Sequence, residues 1–190
     1  MPLPKMTRSG LVPPVRATAA KAVDCSPYET TTLELCREFG GTPERRKILR
    51  GLLDLRAALR RVNPGAGFQW LSGDFFAPDT ASRPCPASVA AATFCQPFAC
   101  GGGTELRELA AVLVSRALTL RMFHVAHTPV LLCWSPRLLV QHAHDCGSVL
   151  GHQQGTGAWQ GMFCIDLEAD DSAAYAALMP AAAPAAAVGV

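Results

Sequence analysis

Apolar residues recur at three- and four-residue steps from Ile48 through Leu52, Leu55 and Leu59 to Val62, which predicts an amphipathic helix over 43–62. Thr42 can cap the free N–H groups at its start, and Pro43 suits the first helical position because it has no N–H to leave unpaired. Asn63-Pro64-Gly65 stops it. The opposite face carries Arg45, Arg46, Lys47, Arg50, Arg56, Arg60 and Arg61 against Glu44 and Asp54. A shorter helix over 31–39 precedes it and ends at Gly40-Gly41. The period then changes. Phe68-Gln69-Trp70-Leu71-Ser72 reads as a buried strand that breaks at Gly73 and opens into a turn through Asp74-Phe75-Phe76. Val89 to Phe94 reads as its partner strand.

Farther on, Leu106, Leu109, Leu113 and Ala117 mark one face of a helix over 104–118. Phe123, Val125 and His127 then alternate against Met122, His124 and Ala126, as in a strand, and Pro129 places that strand at an edge or near its end. Pro136 can open a helix running through Leu138, Leu139 and His142 to Leu150. A polar turn over 151–157, a last strand from Trp159 to Leu167 and a closing helix from Asp170 to Met179 complete the pattern. The alternation is too irregular for a βαβ repeat. It predicts an α/β or α+β fold, a mixed sheet with helices packed on it.

Length and composition set the domain plan. The 190 residues suit one core, and 49% hydrophobic content is enough to fill it. Residues 1–30, rich in Pro, Ala, Thr and Ser, read as an extended arm, 31–179 as a single domain, and the Ala/Pro run 180–190 as a disordered tail. No apolar run is long enough to span a membrane, and the start has no apolar signal region, so a cytoplasmic location without a membrane partner is the expectation. A net charge of +2 gives no bulk argument for nucleic acid. The basic face of helix 43–62 is the local exception. Arg45, Arg46 and Arg50 are its candidates for contacting phosphate or nucleic acid, beside the plainer reading of a solvated helix face.

The reactive side chains give few patterns. Eight cysteines lack any C-x-x-C pair, and most read as small buried hydrophobes. His124 and His127 point to opposite faces of a strand. On a helix His142 and His144 diverge by about 200°, so that only His142 and Cys146 share a face. No metal site is expected. Nothing marks a Cys–His nucleophile, Gly101-Gly102-Gly103 is not followed by the Lys of a P-loop, and no Gly-x-Ser-x-Gly elbow occurs.

Pro13-Pro14, Ser26-Pro27-Tyr28, Glu38-Phe39-Gly40 with Pro43-Glu44-Arg45-Arg46, and Gly67-Phe68-Gln69-Trp70-Leu71 follow one another at a recognisable spacing. Gly73, Phe75, Arg83-Pro84, Thr93-Phe94, Pro97, His152, Gly157, Trp159, Gly161-Met162 and Ile165-Asp166-Leu167 continue it. In these residues the chain resembles, over roughly 10–178, an uncharacterised bacterial and phage protein family whose pattern is similar to nucleotidyltransferases of the DNA polymerase beta type. The resemblance implies a nucleotide pocket around Gly73, Asp74, Ser88, Ala90, His124 and Ala126. It also marks departures. Gly73-Asp74 stands where the pattern has Gly-Ser, Ser88-Val89-Ala90 where it has Asp-x-Asp, and Ala126 where it has a third Asp. Asp145-Cys146 replaces a Tyr-Trp pair, and Trp159-Gln160-Gly161 a Trp-Lys-Gly turn.

Metal-dependent nucleotidyl transfer needs carboxylates to hold Mg²⁺ between the triphosphate and the attacking hydroxyl. Ser and Ala cannot supply them. The expectation is therefore a catalytically degenerate domain without a cofactor, acting by binding a nucleotide, a nucleic acid or a protein. The alternatives are an active Mg²⁺-dependent enzyme using Asp74 and Asp79, and a nucleic-acid-binding module built on helix 43–62.

Overall fold

The computed structural model describes residues 3–17, 23–63, 65–78, 88–98, 103–153 and 156–179. Asp79, Arg83, Pro84 and the 180–190 tail lie outside them. Val15–Ala17 (β1) and Val23–Cys25 (β2) pair antiparallel, and Tyr28–Glu29 (β3) follows. Thr32–Phe39 (α1) begins at a reciprocal cap. The Thr31 side chain accepts from the Glu34 N–H, and the Glu34 carboxylate accepts from the Thr31 N–H. Pro43–Val62 (α2) starts at Thr42, whose hydroxyl accepts from the Arg45 N–H.

Phe68–Ser72 (β4) and Val89–Cys95 (β5) form the expected pair, and it is antiparallel, with Phe68 opposite Phe94 and Ser72 opposite Ala90. Gly103–Val114 (α3) and Arg116–Phe123 (α4) then occupy the stretch expected to hold one helix and the start of a strand. The break falls at Ser115, whose hydroxyl caps α4 by accepting from the Leu118 N–H. His124 closes α4 in the left-handed region, with φ 56°, so the strand Val125–Leu131 (β6) begins later than its alternation suggested. Pro136–Leu150 (α5), Phe163–Asp166 (β7) and Ser172–Ala177 (α6) finish the chain. β7 is shorter than the span from Trp159 to Leu167, because Trp159 makes only an isolated bridge to His152.

The fold is α+β, with a five-stranded mixed sheet ordered β3-β7-β4-β5-β6 and helices flanking it. β6 is an edge, one of the two placements Pro129 allowed. β3 is the other edge and runs parallel to β7. Alternation assigns the two faces. Leu71, Val89, Ala91, Val125, Phe163 and Ile165 point into the main core with Leu35, Leu49, Leu52, Leu55 and Leu59 of α1 and α2. Ala92, Phe94 and Val130 point the other way, towards Leu139, Ala143 and Leu150 of α5. Leu11 and Val12, within the 1–30 stretch, are buried, and the Val12 carbonyl accepts from the Gly161 N–H.

A chain of buried polar groups crosses the main core. Arg56, with no exposed surface, pairs with Asp171 at 2.9 Å and donates to Gln69 Oε1. Gln69 Nε2 donates to Thr93 Oγ1, which meets His127 Nε2 at 2.8 Å, and His127 Nδ1 donates to the Leu113 carbonyl. Thr32 and Arg60 also bind Asp171. Each link is needed, because an unpaired polar group at this depth would cost about 1–3 kcal/mol.

Candidate functional site

β4 ends at Ser72, and Gly73 turns the chain with φ +110°, a conformation that favours glycine. The single 3₁₀ turn Asp74–Phe76 follows. Phe75 and Phe76 bury against Phe39 and Phe163, so the turn is hooked into the core. Arg45 fastens it from the other side. It is buried, donates to the carbonyls of Phe75 and Ala77, and lies over the Phe75 ring.

Above this turn lies a cavity of about 530 Å³ between the start of β5 and β6, the first turns of α4 and the second half of α5. Gly73, Asp74, Ser88, Ala90 and Ala126 line it together. The sheet register explains why. Ser72 is opposite Ala90, and Ala90 is beside Ala126, so the end of β4 and the starts of β5 and β6 form one row. His124 is not in that lining. It sits at the α4 end, where its carbonyl accepts from the Val89 N–H.

The roof comes from α5. His142, Asp145, Cys146 and Val149 face the cavity, and the His142 ring packs on Trp134 at 4.5 Å. Helical spacing brings His142 and Cys146 to one side, as the sequence implied. Burial, followed by the nearby Asp145 charge, pushes the Cys146 thiol up and keeps it protonated, which argues against a nucleophile. Among the described residues no three His, Cys, Asp or Glu side chains gather as a metal site.

The segment after α5 closes the cavity end. Gln153 donates to Asp74 Oδ1 at 3.1 Å and accepts from the Thr156 hydroxyl. Gln160, where the resemblance expects Lys, is buried and directs its amide at Ser72 Oγ and at the carbonyls of Leu150 and His152. His152 Nδ1 donates to the Ser148 carbonyl, which leaves Nε2 without a hydrogen-bond partner among the described residues. Arg116, exposed in the first turn of α4, lines the cavity and has no partner among the described residues.

Sequence reasoning did not find Arg116 or Gln153, and it gave His152 as a residue of the resemblance but not of the site. The available signal for Arg116 was Ser115, a capping residue inside a helical run. The basic face of α2 is also less open than its sequence suggested. Arg56 is enclosed, Arg60 and Arg61 pair with Asp171 and Glu105, and Arg46 donates to the Gly40 carbonyl. Arg50 is exposed, held near Asp54 and over the Tyr175 ring. Arg45, Arg46 and Arg50 are not in the lining of the cavity.

Among known proteins, the family of unknown function (DUF6932) matches residues 4–166. No curated protein and no solved structure matches.

Proposed function

The chain belongs to that family, DUF6932, and on this premise we propose that it is a nucleotidyltransferase-like domain that binds a nucleotide in the cavity without transferring it. One observation carries the reading. The departures from the pattern of the resembled family at Asp74, Ser88, Ala90, Ala126, Asp145, Cys146 and Gln160 all line the same cavity. Departures scattered over the surface would speak of unrelated change. Gathered around one cavity, they are what a retained site with altered ligand chemistry produces.

The altered chemistry is specific. Ser88, Ala90 and Ala126 offer no charge to a divalent cation, and Asp74 is already hydrogen-bonded to Gln153. These residues do not fit Mg²⁺, and no step runs through it. Phosphate charge would instead meet the Arg116 guanidinium, with His142 and His152 in the same lining. Ala90, Ala92, Leu120 and Val149 supply apolar surface, and about 530 Å³ is within the range of small-molecule sites.

Calorimetric titration of ATP and GTP, each in EDTA and in Mg²⁺, tests this. Saturable binding with no need for Mg²⁺ is expected, weakened about ten-fold in Arg116→Ala by loss of a charge-assisted contact. Nucleotide incorporation that needs Mg²⁺ and vanishes in Asp74→Ala would make the protein an active transferase. Absence of saturable nucleotide binding at millimolar concentration would also sink the reading.

A further inference from the structure

The sheet face that carries the cavity has a second concavity, away from α4. It is a trough of about 630 Å³ over β3, β7 and β4. Phe68 and Trp70 form its floor. Phe68 stacks on Phe94 at 4.6 Å and Trp70 packs on the same ring at 4.5 Å. Both Phe68 and Trp70 remain half-buried, whereas Phe94 is covered. The rim is acidic. Glu29, Asp166 and Glu168 line the trough, and no Lys, Arg or His does among the described residues.

Register fixes the arrangement. Glu29 is beside Cys164 and Cys164 beside Trp70, while Asp166 is beside Phe68. Each carboxylate therefore shares a row with an aromatic ring. Both act on the intervening thiol. Burial and then the Glu29 and Asp166 charges push Cys164 up to about 12. Aromatic faces flanked by carboxylates complement a cation carried on an apolar stem, through ring quadrupole and ion pairing together.

We propose that this trough docks an extended segment of a partner protein carrying two basic side chains at positions i and i+2. Strand spacing sets that pattern. Glu29 and Asp166 lie one strand apart and two residues out of register, about 8 Å between Cα atoms, close to the about 7 Å between alternate residues of an extended chain. The trough is open above, so a free small cation would keep most of its water. A chain laid across the sheet would shed it and cover the half-buried rings. The 180–190 tail has no basic residue to fill the role.

The test uses the full chain labelled with ¹⁵N and a blocked five-residue peptide with arginine at its second and fourth positions. Saturable shifts are expected at the Trp70 indole and at the amides of Phe68, Cys164 and Asp166. The citrulline counterpart, equal in shape but uncharged, should produce none. Glu29→Gln and Asp166→Asn, isosteric changes at exposed side chains, should each weaken binding about three-fold, and Trp70→Leu about five-fold. Unchanged shifts elsewhere in each variant report an intact fold. Equal binding of the citrulline peptide, shifts confined to another face, or agmatine binding as tightly as the peptide would each overturn the proposal.

Discussion

His127 is satisfied only as a neutral ring. Its Nδ1 donates to the Leu113 carbonyl, and its Nε2 accepts from Thr93, whose own oxygen already accepts from Gln69. Burial pulls its pKa down from 6.5 to about 4, against the smaller opposing pull of the Leu113 carbonyl. An unfolded chain would take up this proton near pH 6.5 and the folded chain only near 4. Between those values the unfolded state binds more protons, so stability falls as pH falls. Urea unfolding should show full stability above about pH 6.5 and a loss of up to about 3 kcal/mol on approaching pH 4. His127→Gln should flatten that limb, and a slope unchanged in the variant would assign the titration to another group. Gly73 gives a second prediction at this scale. Its φ of +110° makes Gly73→Ala a backbone penalty of about 1–3 kcal/mol, measurable as a lower urea midpoint with unchanged m-value.

At the scale of elements, α2 holds the molecule together through a buried ion pair. Arg56→Ala would leave Asp171 charged at 2% exposure, with Arg60 and Thr32 as its remaining partners. A loss of about 3–5 kcal/mol is expected by denaturant titration. Arg56→Met with Asp171→Leu should lose less than the two single changes combined, since neither charge is then stranded. This pair was hard to read from sequence. The apolar stripe from Ile48 to Val62 is plain, but α2 is buried on more than that stripe, with Leu49, Leu53 and Arg56 all enclosed. An arginine neutralised by an aspartate 115 positions away leaves no local trace. Gly51 shows the same limit. A Cβ there would strike the Phe123 backbone of α4, so Gly51→Ala should destabilise by about 1–3 kcal/mol despite its better helix propensity. The β4–β5 pair was legible because both strands are short apolar runs with the Gly73 break between them. The division at Ser115 was not, because Ser is a weak breaker and the apolar spacing continues across it.

At the scale of the whole molecule, the cavity depends on three strand ends that the sequence separates widely. The positions marked by the resemblance do meet at Gly73, Asp74, Ser88, Ala90 and Ala126, whereas His124 stays outside. Strand alternation would have put His124 on the same face as Ala126 had the strand reached back that far. The helix end at His124 takes it out of that row. On the proposed reading, carboxylates introduced together by Ser88→Asp, Ala90→Asp and Ala126→Asp should make nucleotide binding Mg²⁺-dependent in calorimetry. Binding that stays indifferent to Mg²⁺ in this variant would count against the cavity as a site of that type.

The position of β7 has a consequence for how the chain is made. Among the described residues β3 finds its parallel partner only in β7, with Tyr28 beside Phe163, and β7 also lies between β3 and β4. As the chain emerges from the ribosome, β4, β5 and β6 can pair while their neighbour is still unsynthesised. Until Phe163–Asp166 arrives, the flank of β4 is an open template and β3 has nowhere to dock. Long-range closure of this kind is slow. The newborn chain must therefore wait with one side of β4 unpaired, and that interval, more than the finished fold, is when a stray strand could take the place of β7.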